Sequence, residues 1–205
     1  MKSKYWAWTA FVLAVLYLLL ILVSWIISSA DPQINIHSLL SSEGIRWMMG
    51  HFAENLATPV LVWLLLSAIA YGVYRTSGLM CAITDVIHGR KLPYRQRFAF
   101  MVTMIIIGMI VLVVLILTCT PHAILLSVTG SLFNSSFSRA LIPIIAFAVT
   151  VASIVFGSLS ASYQSVEQVF RGMTAGISAI LPLLVVYVFA AQLIQSVIYV
   201  FTAYH

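Results

Sequence analysis

Apolar residues run almost unbroken over 5–27, 57–74, 98–117, 140–159 and 175–201, and short polar stretches separate the runs. An α-helix needs about 20 such residues to cross the hydrocarbon core of a bilayer, within a range that each run meets. None alternates with period two, as a lipid-facing barrel strand would. Helices satisfy every backbone group within their own segment and are therefore the spanning solution. The pattern predicts an all-α integral membrane protein, a single membrane domain over 1–205 with about five transmembrane helices. Between the first two runs the period changes. Ile45, Met48, Met49, Phe52 and Leu56 recur at helical spacing, and Arg46, Glu54 and Asn55 fall on the other side, towards water. This predicts a short amphipathic helix over 43–56, capped by Ser42 and either lying in the interface or docking onto the bundle.

Composition agrees with the pattern. The chain is 62% hydrophobic and 7% charged, whereas soluble domains carry about 25% charged residues. The few cations decide orientation, because cytoplasmic loops hold the excess of Lys and Arg. With the N-terminus cytoplasmic, Lys2, Lys4, Arg75, Arg90, Lys91, Arg95, Arg97 and Arg171 fall inside, and only Arg46 and Arg139 fall outside. The net charge of +5 is thus a topogenic signal. The first run is longer than the 7–15 residues of a signal-peptide core, so a retained helix is expected although Ser28-Ser29-Ala30 follows it.

All five acids, Asp31, Glu43, Glu54, Asp85 and Glu167, stand outside the apolar runs. An intramembrane carboxylate is the usual handle for coupling transport to an ion gradient. Candidate chemistry is otherwise sparse: no nucleophile elbow, phosphate loop or zinc-protease motif occurs, and the five histidines lie outside the span cores. Neither enzyme activity, a metal, a cofactor nor nucleic-acid binding is called for. Cys81 and Cys119 sit at opposite ends of their spans and read as packing residues. Asn134-Ser135-Ser136 matches the glycosylation pattern. Small-residue steps mark close helix contacts: Ala68 to Gly72, Ser153 through Gly157 to Ala161, and Gly172 to Gly176. Pro182, with Gly176, Ser178, Gln192, Gln195 and Ser196 around it, predicts either a kinked packing helix or a broken one near the midplane.

Specific strings reach further. Leu40-Ser41-Ser42-Glu43-Gly44-Ile45-Arg46-Trp47, then Asn55 and Ser77-Gly78-Leu79, resemble the opening third of the AbgT family, the p-aminobenzoyl-glutamate transporters. Thr129-Gly130-Ser131, Leu141-Ile142-Pro143-Ile144-Ile145, Val155-Phe156-Gly157 and Phe189-Ala190-Ala191-Gln192 resemble later family segments, in order. The resemblance implies a bacterial inner-membrane protein of elevator-carrier plan, with a dimerising scaffold, a mobile transport domain and two re-entrant hairpins. It also implies that Pro143 opens a helix and that Gln192 lies in the matching Ala-Ala-Gln segment. Gln192 is the best single candidate for a polar role in the membrane, either facing a substrate or making a helix-to-helix hydrogen bond. Measured against that plan the sequence is shortened: after Gly78 it passes through 85–97 to a scaffold-like helix, without the first hairpin, and it ends before the second. The expected partners are the lipid bilayer, a second copy of the chain in a homodimer, and a subunit supplying the hairpin segments. The alternative expectation is a non-transporting membrane scaffold or regulatory subunit.

Overall fold

The computed structural model describes residues 2–30, 36–119 and 136–202, with the side chains of 2–3, 119 and 136–139 left undescribed. Asp31, Thr129-Gly130-Ser131 and the Asn134 glycosylation match lie outside the described residues. The elements are α1 (Lys2–Ala30), α2 (Ser42–Gly50), α3 (Phe52–Leu56), α4 (Pro59–Thr76), α5 (Leu79–Ile87), α6 (Tyr94–Cys119), α7 (Ser136–Leu159) and α8 (Val166–Phe201). No strand occurs among the described residues. Five of these helices, α1, α4, α6, α7 and α8, are long and apolar enough to cross a membrane. Their outward residues are apolar, as lipid requires: Phe11, Leu18, Met101, Ile105, Leu112, Phe147 and Val185 are all exposed.

Two compact units divide the chain, Met1–Val62 with Ile180–His205, and Trp63–Ala179. In the second unit α6 and α7 form an antiparallel pair. Arg95, in the first turn of α6, donates from Nε to the carbonyl of Leu159 at the end of α7, 3.1 Å away. A cation there satisfies an orphan carbonyl and complements the negative end of the helix. Ala99 and Phe156 bury against each other from the two helices, and α5 adds Leu79 and Ala82 to the same cluster. α5 (79–87) stands ahead of the 85–97 interval and only its end enters it. The N–H of Leu79 donates to Ser77 Oγ across its entry, 3.2 Å away.

The Ala68–Gly72 and Gly172–Gly176 steps are spent on each other within the chain. A methyl group at Gly72 would overlap the carbonyl oxygen of Gly172 and stand 2.5 Å from the nitrogen of Gly176. One at Gly176 would overlap the carbonyl oxygen of Ala68. The backbones of α4 and α8 therefore touch directly, an approach that only residues without a Cβ permit.

The third small-residue step is used differently from expectation. Ala161 lies beyond the end of α7 with φ 62, and the chain reverses there so that the Tyr163 N–H donates to the carbonyl of Gly157, 2.9 Å away. The bare face of Gly157 holds the Tyr163 ring rather than another helix. The Tyr163 hydroxyl lies 3.1 Å from the Val73 carbonyl and 2.7 Å from Thr76 Oγ1, so it closes the last turn of α4. Burial pushes this phenol above its ordinary pKa, against the lowering by the Thr76 hydrogen bond.

Two further expectations are corrected, and one pair of alternatives is decided. Pro143 does not open a helix: α7 begins at Ser136 and Pro143 stands inside it, beside an apolar cavity of about 440 Å³ shared with Met109 and Val113 of α6. Neighbouring turns tolerate one missing donor in a membrane helix. Of the two alternatives at Pro182, the broken helix is excluded, since α8 continues helical from Val166 to Phe201. The amphipathic segment is two helices, α2 and α3, divided at His51, and its N-cap is Ser41, whose Oγ accepts from the Gly44 N–H at 3.0 Å.

Gly72→Ala, which forces a methyl group into the α4–α8 contact, is expected to cost about 1–3 kcal/mol, the usual range for overpacking. Gly108→Ala is the control, because nothing lies within 4 Å of a methyl group there. Thermal unfolding in detergent checks this: the Gly72 variant melts lower than the Gly108 variant, and equal midpoints contradict the contact.

Candidate functional site

Gln192 sits on the buried face of α8 in the first unit, only 4% exposed. That face repeats at helical spacing through Tyr187, Ala191, Gln192, Ser196, Tyr199 and Val200, whereas Ile194, Val197, Ile198 and Phe201 are exposed. Polar groups turn inwards because hydrocarbon offers them no partner.

The partners of Gln192 come from α3. Asn55 Nδ2 donates to Gln192 Oε1 at 3.2 Å, and Gln192 Nε2 donates to the Phe52 carbonyl at 2.9 Å. One turn earlier in α8, the Tyr187 hydroxyl donates to the Leu56 carbonyl at 2.8 Å. Its single hydrogen is thereby used, so the Thr58 hydroxyl is the donor in their 2.6 Å contact. A helix of five residues cannot hold itself together in isolation. Here its carbonyls at Phe52 and Leu56 are taken up by side chains of α8.

Asn55 corrects the amphipathic reading most sharply. It was placed on the watery face, yet it is 7% exposed, and Met49 of the supposed packing face is 70% exposed. Glu54, on the same predicted face, is exposed as expected; Asn55 is buried because its amide bonds to Gln192 of α8.

A second set of contacts seats α2. The Leu39 N–H donates to Ser24 Oγ of α1 at 3.2 Å, and the His37 N–H donates to the Val200 carbonyl of α8 at 3.2 Å. Leu39 is fully buried with Tyr199 and Val200. Trp47 stacks on Tyr199 with ring centroids 4.2 Å apart, and His51 and His37 stand at the two ends of this pair, 5.7 Å from Trp47 and 5.4 Å from Tyr199. Gly44 lets α2 approach the backbone at Ser38 and Leu39, where a methyl group would come within 2.7 Å of the Leu39 Cα. The string Leu40 to Trp47 therefore has a local physical role: cap, close approach and aromatic anchor.

Chemically the cluster is a clamp. Both polar ends of the Gln192 amide are engaged, and the side chain has almost no accessible surface. Ser196 Oγ, and Ser153 Oγ in the second unit, are buried without a hydrogen-bond partner among the described residues. No group of three His, Cys, Asp or Glu able to hold a metal comes together among the described residues.

No family model, curated protein or solved structure matches this chain. Of the residues singled out by sequence, Gln192 lies in the clamp, and Gly72, Gly172 and Gly176 form the α4–α8 contact. Gly157 receives Tyr163, and Pro143 and Pro182 are tolerated inside helices. Sequence reasoning missed Asn55, Thr58 and Tyr187. The legible signal was the spacing of Tyr187, Gln192, Ser196 and Tyr199, which marks one polar stripe on an otherwise apolar helix.

Gln192→Leu should destabilise the protein by about 1–3 kcal/mol, because it leaves Asn55 and the Phe52 carbonyl unsatisfied and buried. In a double-mutant cycle with Asn55→Leu, the paired change is expected to cost less than the sum of the single changes. The coupling should fall near the roughly 0.6 kcal/mol average for polar pairs in membranes, with about 1.7 as the upper end. Strict additivity in unfolding measurements would mean that the two amides do not hold each other.

Proposed function

We propose that this chain is a multi-pass bacterial inner-membrane protein of AbgT-like descent that serves as a fixed helical frame and does not carry p-aminobenzoyl-glutamate or folate-related solutes by itself. The observation that carries this reading is the state of Gln192. The polar side chain best placed to meet a solute is bonded on both ends to α3 and shut off from solvent. The glycine contact supports it as well, because touching backbones interlock, whereas an elevator mechanism requires helices to slide past one another. Two of the described acids support it too. Asp85 pairs with Arg90 beyond α5, and Glu167 pairs with Arg171 in the exposed first turn of α8.

In this reading the frame serves a second copy of the chain or a partner subunit. Purified protein in proteoliposomes, loaded under an inward sodium or proton gradient, is expected to take up p-aminobenzoyl-glutamate no faster than protein-free vesicles. Gradient-driven accumulation by this chain alone would overturn the frame reading. Native mass spectrometry from lipid discs is expected to show a homodimer, and a monomer at every protein concentration contradicts the dimeric form of the proposal.

A further inference from the structure

The end of α5 and the start of α6 enclose a cationic groove of about 540 Å³, lined by Arg90, Lys91 and Arg97 with apolar walls from Val86, Leu92 and Phe100. Its shape is set by how α5 stops. The Arg90 N–H donates to the Asp85 carbonyl at 2.8 Å and the Gly89 N–H to the Val86 carbonyl at 3.0 Å, with Gly89 at φ 68. This is the Schellman arrangement, and glycine enters its left-handed position without strain. The turn fixes the backbone from which Arg90 and Lys91 project.

Charge is only partly neutralised there. Asp85 pairs with Arg90 at 3.3 Å. Lys91 and Arg97 have no carboxylate in salt-bridge reach among the described residues, so the groove keeps two uncompensated cations. Its surroundings are apolar: Ile87 is 75% and Tyr94 89% exposed, and Phe98, Met101 and Ile105 present one exposed face down α6. α5 itself buries Leu79 and Ala82 and leaves Met80 and Val86 outward, the disposition of a helix lying in a membrane interface. A free anion matches only the cations. A phosphodiester bearing acyl chains matches both the cations and the apolar face. Orientation by charge bias alone requires the cations but no groove.

We propose that this groove binds the headgroup of an anionic phospholipid, with the phosphate between Lys91 and Arg97 and the acyl chains along α6. The test uses the full chain purified in detergent and titrated with phosphatidylglycerol or phosphatidylcholine, with bound lipid counted by native mass spectrometry. Phosphatidylglycerol is expected to bind about tenfold or more tightly than phosphatidylcholine. Each cation near an anionic surface is worth roughly fivefold in binding. Lys91→Gln with Arg97→Gln should therefore lower phosphatidylglycerol affinity on the order of twentyfold. Lys4→Gln with Arg75→Gln, which removes equal charge outside the groove, should leave it unchanged, and excess inorganic phosphate should not displace the lipid. Equal binding of the two lipids, equal losses in the two double variants, or displacement by inorganic phosphate would each overturn the proposal. The wild-type comparison and the phosphate competition decide it even if the Lys91 and Arg97 variant fails to accumulate.

Discussion

The direct contact between the backbones of α4 and α8 at Gly72 and Gly176 is the constraint on which the second unit depends. Lipid tails are as apolar as leucine, so burying apolar side chains gives helices in a bilayer little reason to associate. Close packing and hydrogen bonds must do it instead. Removing the Cβ atoms at this crossing brings the end of α4 within reach of Tyr163. That ring occupies the bare face of Gly157 and its hydroxyl reaches the carbonyl of Val73. The termination of α7, the turn at Ala161 and the start of α8 are thereby tied to the same crossing. Arg95 and Leu159 then tie α6 to the same end of α7.

The first unit meets the same requirement with polar groups. Gln192, Tyr187 and Thr58 take up the loose backbone ends of α3, and Ser24 takes the Leu39 N–H. In water such amides and hydroxyls would trade partners with solvent for little gain. In hydrocarbon an unmet carbonyl costs several kcal/mol, so an arrangement that bonds the backbone ends of α3 is strongly selected over its neighbours. A polar residue in a span is therefore ambiguous as a sign of function. Gln192 resembles a solute ligand by residue type, and its bonds make it a fastening.

Much of the architecture was legible because the bilayer imposes a length and a polarity that single residues report directly. The five spans follow from runs of Leu, Ile, Val and Phe, and the small-residue steps at 68 and 72 and at 172 and 176 were visible as spacing, although their contact with each other was not. Other features were not visible. α5 is nine residues long, too short to stand out from the apolar span before it. Asn55 reads as water-facing by residue type, and its partner Gln192 stands 137 residues away, so the period over 43–56 holds no sign of it. Pro143 and Pro182 show the limit of proline as punctuation. In a membrane the helix is kept by the absence of water to compete for its carbonyls, and one missing donor does not end it.

By itself the sequence determined that the protein is helical, how many long apolar helices it has, and that its charges lie at their ends, because those are consequences of residue type in a medium that tolerates no unpaired backbone. Only the tertiary structure decided which polar groups face one another, which glycines touch, and which cations share a groove. Those outcomes depend on helix phase and crossing geometry. The left-handed residue at Ala161 turns the chain so that Tyr163 meets Gly157, and no count of residue types records that turn.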